Sequence, residues 1–218
     1  MKGEHDLSAA AKLKTSWHGT ITSVQPRIRL LRSFDERSHS YLGYVLGLDG
    51  EVGGEHRQFT VAIGKAAQAK RRFQVGFKAS GEAVLVPDPR TEPAEMYKAS
   101  KLKVLGTTPN DATPPPWNGP PPPLEVYRER GHRRLAAKTF ETSCSSCIWG
   151  ARMPTQMIID QWNPSKVKWR FETHCYGPKS CKLYRSGPTR KVPGRRGMSW
   201  TEEDWVDEDA TAHRGPDE

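Results

Sequence analysis

Long apolar runs are missing from this chain: only 35% of its 218 residues are hydrophobic, and nothing approaches the roughly 18 consecutive apolar residues that span a bilayer. The opening MKGEHDLSAA also lacks the apolar stretch of a signal peptide. A soluble, cytoplasmic protein with no membrane partner is expected. Cysteine is scarce too, with four residues, and in a reducing compartment so few argue against a disulfide framework. Catalytic signatures are absent: there is no G-x-G-x-x-G, P-loop, H-E-x-x-H or G-x-S-x-G. The seven histidines are scattered through mostly polar stretches, and the spacing of Asp35, Glu36, Asp88 and Asp160 does not demand a magnesium ion. A non-enzymatic role follows. With 27% charged residues, 19 glycines and 18 prolines, the chain has too little apolar material for one large core, so two small units are expected.

What the sequence does carry is charge, unevenly placed. The net +9 divides into +6 over residues 1–106, +10 over 107–200 and −7 over 201–218. A polyanion is the natural partner of the middle section, because Lys and Arg that neutralise phosphates release condensed counterions. The segment beginning Thr201-Glu202-Glu203-Asp204-Trp205 has the composition of an acidic extension, solvated, bound to a protein partner, or folded back on the basic part. Residues 107–123 hold eight prolines in 17 positions, which excludes helix or ladder and predicts an extended linker.

Ahead of that linker the pattern is strand-like. Trp17 to Val24 alternates, Pro26 interrupts, and Arg27 to Leu30 resumes, predicting one long strand bent by a bulge. Tyr41–Leu48, the turn Asp49–Gly54 and Arg57–Ile63 read as a hairpin. Lys65–Arg72 is a short helix, and Gln74–Lys78, Glu82–Val86 and Lys101–Leu105 read as further strands. This order, with its helix after the third strand, resembles the OB-fold, a five-stranded Greek-key barrel, over residues 15–106. Another small barrel of the SH3 type is the rival. The resemblance implies ligand contacts along the second and third strands and the loops 33–40 and 87–98. Inward Ile28 and Leu30 put Arg27 and Arg29 outside, and inward Leu42, Tyr44, Leu46 and Leu48 put Tyr41 outside, for base stacking beside the arginines.

Beyond the linker, all four cysteines fall in one window: Cys144-Ser-Ser-Cys147, then Cys175 and Cys181. A C-x-x-C knuckle plus a second pair builds a closed tetrahedral Zn2+ site, with His174 as a substitute ligand for the irregular second pair. Four thiolates leave no open position, so the metal is structural rather than catalytic. Met157–Asp160 and Val167–Glu172, joined by Asn163–Lys166, read as a hairpin between the pairs. The arrangement resembles a zinc ribbon over residues 140–185; a unit this small cannot bury every tryptophan, so Trp162 and Trp169 are expected in the core and Trp149 either as an exposed stacking platform or in the core. Cations then accumulate without acids: Lys179, Lys182, Arg185, Arg190, Lys191, Arg195 and Arg196, preceded by Arg133 and Arg134. The interleaved Gly and Pro predict an extended arm that follows a phosphate backbone.

The expected fold class is therefore mainly β. It comprises a flexible N-terminus (1–14), an OB-like barrel (15–106), a Pro-rich linker (107–123) and a zinc-ribbon domain (124–185). A basic arm (186–200) and an acidic tail (201–218) complete it. Its expected role is binding DNA or RNA, single-stranded favoured, with an adapter that docks a protein partner as the alternative; OB-folds joined to zinc modules serve in both ways.

Overall fold

Alternation of apolar and polar side chains builds the longest strand, β1 (Lys14–Arg32), in which Val24, Ile28 and Leu30 are fully buried. The computed structural model describes residues 13–34, 36–107, 114–160, 162–163 and 165–215; most of the expected flexible N-terminus and residues 108–113 of the linker lie outside them. β1 pairs antiparallel with β2 (Arg37–Val52), and the register shifts between Ile21 and Ser23 and between Arg27 and Ile28. These bulges flank Pro26 and bend the strand.

The ends of β1 serve different neighbours. Residues 14–20 pair with β4 (Lys78–Leu85), and Leu30–Arg32 run parallel to Thr155–Met157. β2 turns through Gly53 and Gly54, both at positive φ (62° and 89°), into β3 (Glu55–Ile63). The short helix α1 (Lys65–Arg71) follows, and β5 (Met96–Gly106) pairs with β4 and touches β3 at Val61 and Met96. Followed from β1 through β2, β3, β5 and β4, the pairings return to β1. Gln74–Phe77 is not the strand that its sequence suggests: it turns at Gly76 (φ 88°) and docks through Ile21 N–H to Phe77 O and Gly76 N–H to Ile21 O, both 2.8 Å, beside the first bulge of β1.

After the prolines come α2 (Leu124–Arg130), the two-residue β6 (Arg133–Arg134), a helical segment Ala137–Thr139 that continues as the π-turn Phe140–Cys144, β7 (Gly150–Ile158) and β8 (Val167–Cys175). β7 joins β1, β8 joins β7, and β6 joins β8, so one eight-stranded sheet runs through both halves of the chain. The apolar core is equally continuous: Tyr127, Met153 and Tyr176 belong to the same buried cluster as Trp17, Leu46 and Val61. The described part of the proline segment lies against this body, with Tyr44 donating to Pro122 O at 2.7 Å.

The arm and tail also fold. β9 (Arg190–Pro193) and β10 (Ser199–Glu202) form a hairpin around a 3-10 turn at Arg195–Gly197, and α3 (Asp204–Ala210) follows. The acidic segment folds back on the basic one: buried Arg134 donates to Asp207 Oδ2 at 2.9 Å and pairs with Asp204. Trp162, expected in the core, is 82% exposed because it lies in the β7–β8 connection. The chain is mainly β, and among the described residues no helix is long and apolar enough to cross a membrane.

Candidate functional site

Two backbone turns bring the cysteines to one place. The π-turn delivers Cys144, and Cys147 N–H closes on Cys144 O at 3.1 Å. Cys175 ends β8, and the Pro178–Cys181 turn presents the fourth thiol. All four line one small cavity of about 10 Å3 with Pro115, Trp117, Trp149 and Tyr184, the room of one small sphere. Gly177 N–H points at Cys175 Sγ, 3.4 Å away. Burial pushes the Cys144 thiol up to about 12 and that of Cys147 to about 11, so neither is a reactive thiolate without a cation beside it. Three of the four sulfurs belong to buried cysteines and that of Cys181 to a half-buried one, and no carboxylate stands on the cavity wall. Among the described residues no group of three or more His, Cys, Asp or Glu side chains stands in a metal-holding arrangement.

The knuckle is tied to β1. Gln25 Nε2 donates to Cys144 O at 2.9 Å and to Cys147 O at 3.0 Å. Between this tie and the face of β1, β2 and β3 opens a groove of about 580 Å3. Its lining is rich in hydroxyls and amides: Thr22, Ser23, Gln25, Gln58 and Thr60 from the strands, Ser145 and Ser146 from the knuckle. Arg152 of β7 closes one side, with its guanidinium 4.1 Å from the ring centre of Phe171. Gly47 has no room for a side chain, since a Cβ would sit 2.3 Å from Ser23 Oγ. Arg57, nearby in the β3 register, is paired with Glu95, which also lines the groove.

The residues expected to touch nucleic acid are dispersed. Arg27 and Arg29 lie outside as their parity requires, but both pair with buried Glu92, at 2.5 and 3.1 Å. Tyr41 is half-buried with the Arg128 guanidinium 5.1 Å from its ring centre, and Trp149 is half-buried between Arg130 and Tyr127. Arg133 covers Tyr184 at 3.9 Å, and Lys179 donates to Arg214 O. Arg134 and Arg190 are buried, which removes them from any contact with a phosphate: Arg190 donates to Glu172 Oε2 at 2.9 Å and meets His174 Nε2 at 2.7 Å. Lys182, Arg185, Lys191 and Arg196 are exposed, and Arg195 falls in the 3-10 turn. Sequence reasoning missed Gln25 and Arg152. The outward parity shared by Gln25, Arg27 and Arg29 signalled the first; Arg152 was hidden because β7 begins at Gly150, well before Met157.

A polar interior lies beside the cysteines. His39, His132 and His174 form a row of tilted and edge-to-face rings, with ring centres 4.7 and 4.5 Å apart. Burial, then the charges of Arg37 and Arg32, lowers the His39 pKa to about 4. Burial, then His39 and Arg37, holds His132 well below the ordinary histidine value. A scan against protein-family models found no match to this chain, and searches among curated proteins and solved structures found none either.

Proposed function

We propose that this protein binds nucleic acid without catalysing a reaction, taking a single strand of DNA or RNA across the groove that joins β1–β3 to the cysteine knuckle. The supporting observation is the groove itself. Side chains that donate and accept hydrogen bonds line it, Arg152 borders it, and the chain around it has a net charge of +9. Such a lining reads a flexible polar strand rather than an apolar ligand. In this reading the pairing circuit of β1–β5 is an OB-like barrel, whose second and third strands are the usual ligand face. The C-terminal sheet is a zinc-ribbon-like module fused to it.

Cys144, Cys147, Cys175 and Cys181 would hold Zn2+, which supplies a closed, non-catalytic crosslink. Gln25 then transmits the position of the knuckle to the groove wall through its two donated hydrogen bonds. Arg152, Lys182, Arg185, Lys191 and Arg196 supply exposed positive charge. Exposed aromatics are few at the groove, since Phe59 and Phe140 are 4% and 7% exposed, so hydrogen bonding and charge carry more of the affinity than stacking does.

Fluorescence anisotropy with labelled 12-nucleotide DNA and RNA strands tests the reading. Affinity is expected to fall by at least about tenfold between roughly 50 and 200 mM salt, and Arg152→Glu to weaken it by about tenfold at the lower salt. Binding that ignores both salt and Arg152→Glu would overturn the proposal. So would a protein that binds neither strand and associates only with another protein.

A further inference from the structure

A second groove, of about 710 Å3, shares no lining residue with the first. It lies where the start of β1 meets β4, β5 and the β2–β3 turn, and its positive groups are Arg71, Lys101 and Lys103. Lys101 is spoken for, since its Nζ is 2.8 Å from Glu82 Oε1. Arg71 and Lys103 are exposed, and among the described residues neither has a carboxylate within ion-pair distance. Glu51 also borders the groove, leaving the two free cations facing one free acid.

The observation that points to a ligand is in the floor. Trp17 lines this groove yet is only 2% exposed, and its indole Nε1–H has no acceptor among the described residues. A buried donor without a partner bears its full desolvation penalty, and such a group calls for an explanation. Above the ring sits Gly81, where a Cβ would lie 2.7 Å from Trp17 Cζ2 and 3.0 Å from Ser100 O. Cζ2 is bonded to the ring carbon that carries Nε1, so this part of the indole packs against the one position of β4 that has no side chain. The β4–β5 register shifts across Gly81, between Ser80 and Glu82, and again between Glu82 and Val84. Lys101 holds a positive φ of 52° opposite this irregularity.

An unpaired donor and unpaired cations in one cleft suit an anion with several acceptor oxygens. We infer that this groove takes a backbone phosphate of the bound strand, with an oxygen on Trp17 Nε1–H and the negative charge balanced by Arg71 and Lys103. The inference rests on the proposed function and adds to it a contact outside the first groove. It makes the footprint on the strand longer than the β1–β3 face alone would give.

The test follows one proton. In the 15N-labelled full chain, the Trp17 indole resonance is assigned by its loss in Trp17→Phe and then followed during titration with a 20-nucleotide single strand and, separately, with inorganic pyrophosphate. With the strand, the resonance is expected to shift and saturate at the concentration that saturates anisotropy. Arg71→Glu combined with Lys103→Glu is expected to abolish the shift and to lower the salt dependence of strand binding by about one phosphate contact, with an unchanged circular dichroism spectrum. Arg152→Glu is expected to weaken the affinity and leave the shift at saturation in place. A strand that binds with the Trp17 resonance unmoved would overturn this inference and leave the proposed function standing. A strand that does not bind at all removes both. A shift with pyrophosphate alone would make the groove a site for a small free phosphate and overturn the assignment to a strand.

Discussion

At the scale of single residues, the C-terminal half is held by charges taken out of water. Arg134 has a fully buried side chain whose donors go to Asp207, Asp204, Pro188 O and Glu202 O. Removing one partner of a buried pair leaves the other uncompensated, at a cost of about 3–5 kcal/mol. Arg134→Ala is therefore expected to lower the urea midpoint sharply, whereas Arg90→Ala, in the exposed pair with Asp88, should leave it where it is. The row of histidines sets the acid limb. His132 and His39 titrate lower in the folded protein than the ordinary 6.5, so the unfolded chain binds their protons first. Stability is intact above about pH 6.5 and falls as the pH drops below it, by roughly 1.4 kcal/mol per pH unit for enclosed His132 and less for His39. Urea titrations from pH 7 to 5 should show this slope, and His132→Phe should flatten it.

At the scale of elements, the knuckle depends on Gln25 as much as on its cysteines. Gln25→Leu keeps an apolar stem but removes the amide, leaving Cys144 O and Cys147 O without their donor. With four thiols per cavity, elemental analysis of the purified protein is expected to find one zinc per chain. Cys144→Ser should reduce both zinc content and cooperativity of unfolding, and Gln25→Leu should weaken strand binding while zinc stays bound. A metal-free, fully folded protein would remove the zinc assignment. Much of this architecture was legible in the chain. Alternation exposed β1, β2 and β3, good helix formers marked α1, and the burial of Ile28, Leu46, Val61 and Ile63 follows from parity alone. What stayed hidden depends on partners distant in sequence. Glu92 takes the two arginines that alternation had turned outward, and Arg134 and Arg190 looked like free cations because Asp207 and Glu172 lie 73 and 18 residues away. Charge runs report composition; only the fold reports which charges are already spent.

At the scale of the whole molecule, the charge asymmetry is largely an internal matter. The acidic C-terminal segment neutralises buried arginines, and the exposed positive charge that remains is spread over α1, β5, β7 and the β9–β10 region. A polyanion meeting this surface finds scattered contacts rather than one dense arm, so its affinity should vary smoothly with salt and not collapse on loss of any single lysine. Lys191→Ala and Lys182→Ala are expected to weaken strand binding by less than about threefold each by anisotropy. Finally, Leu30–Arg32 find their parallel partner only at Thr155–Met157. As a nascent chain leaves the ribosome, the far end of β1 must wait for more than a hundred further residues before that register can close. A gene cut at the prolines would release a product with a bare strand edge and the Tyr127–Met153–Tyr176 side of its interior uncovered, and inclusion bodies are the expected fate of such a fragment.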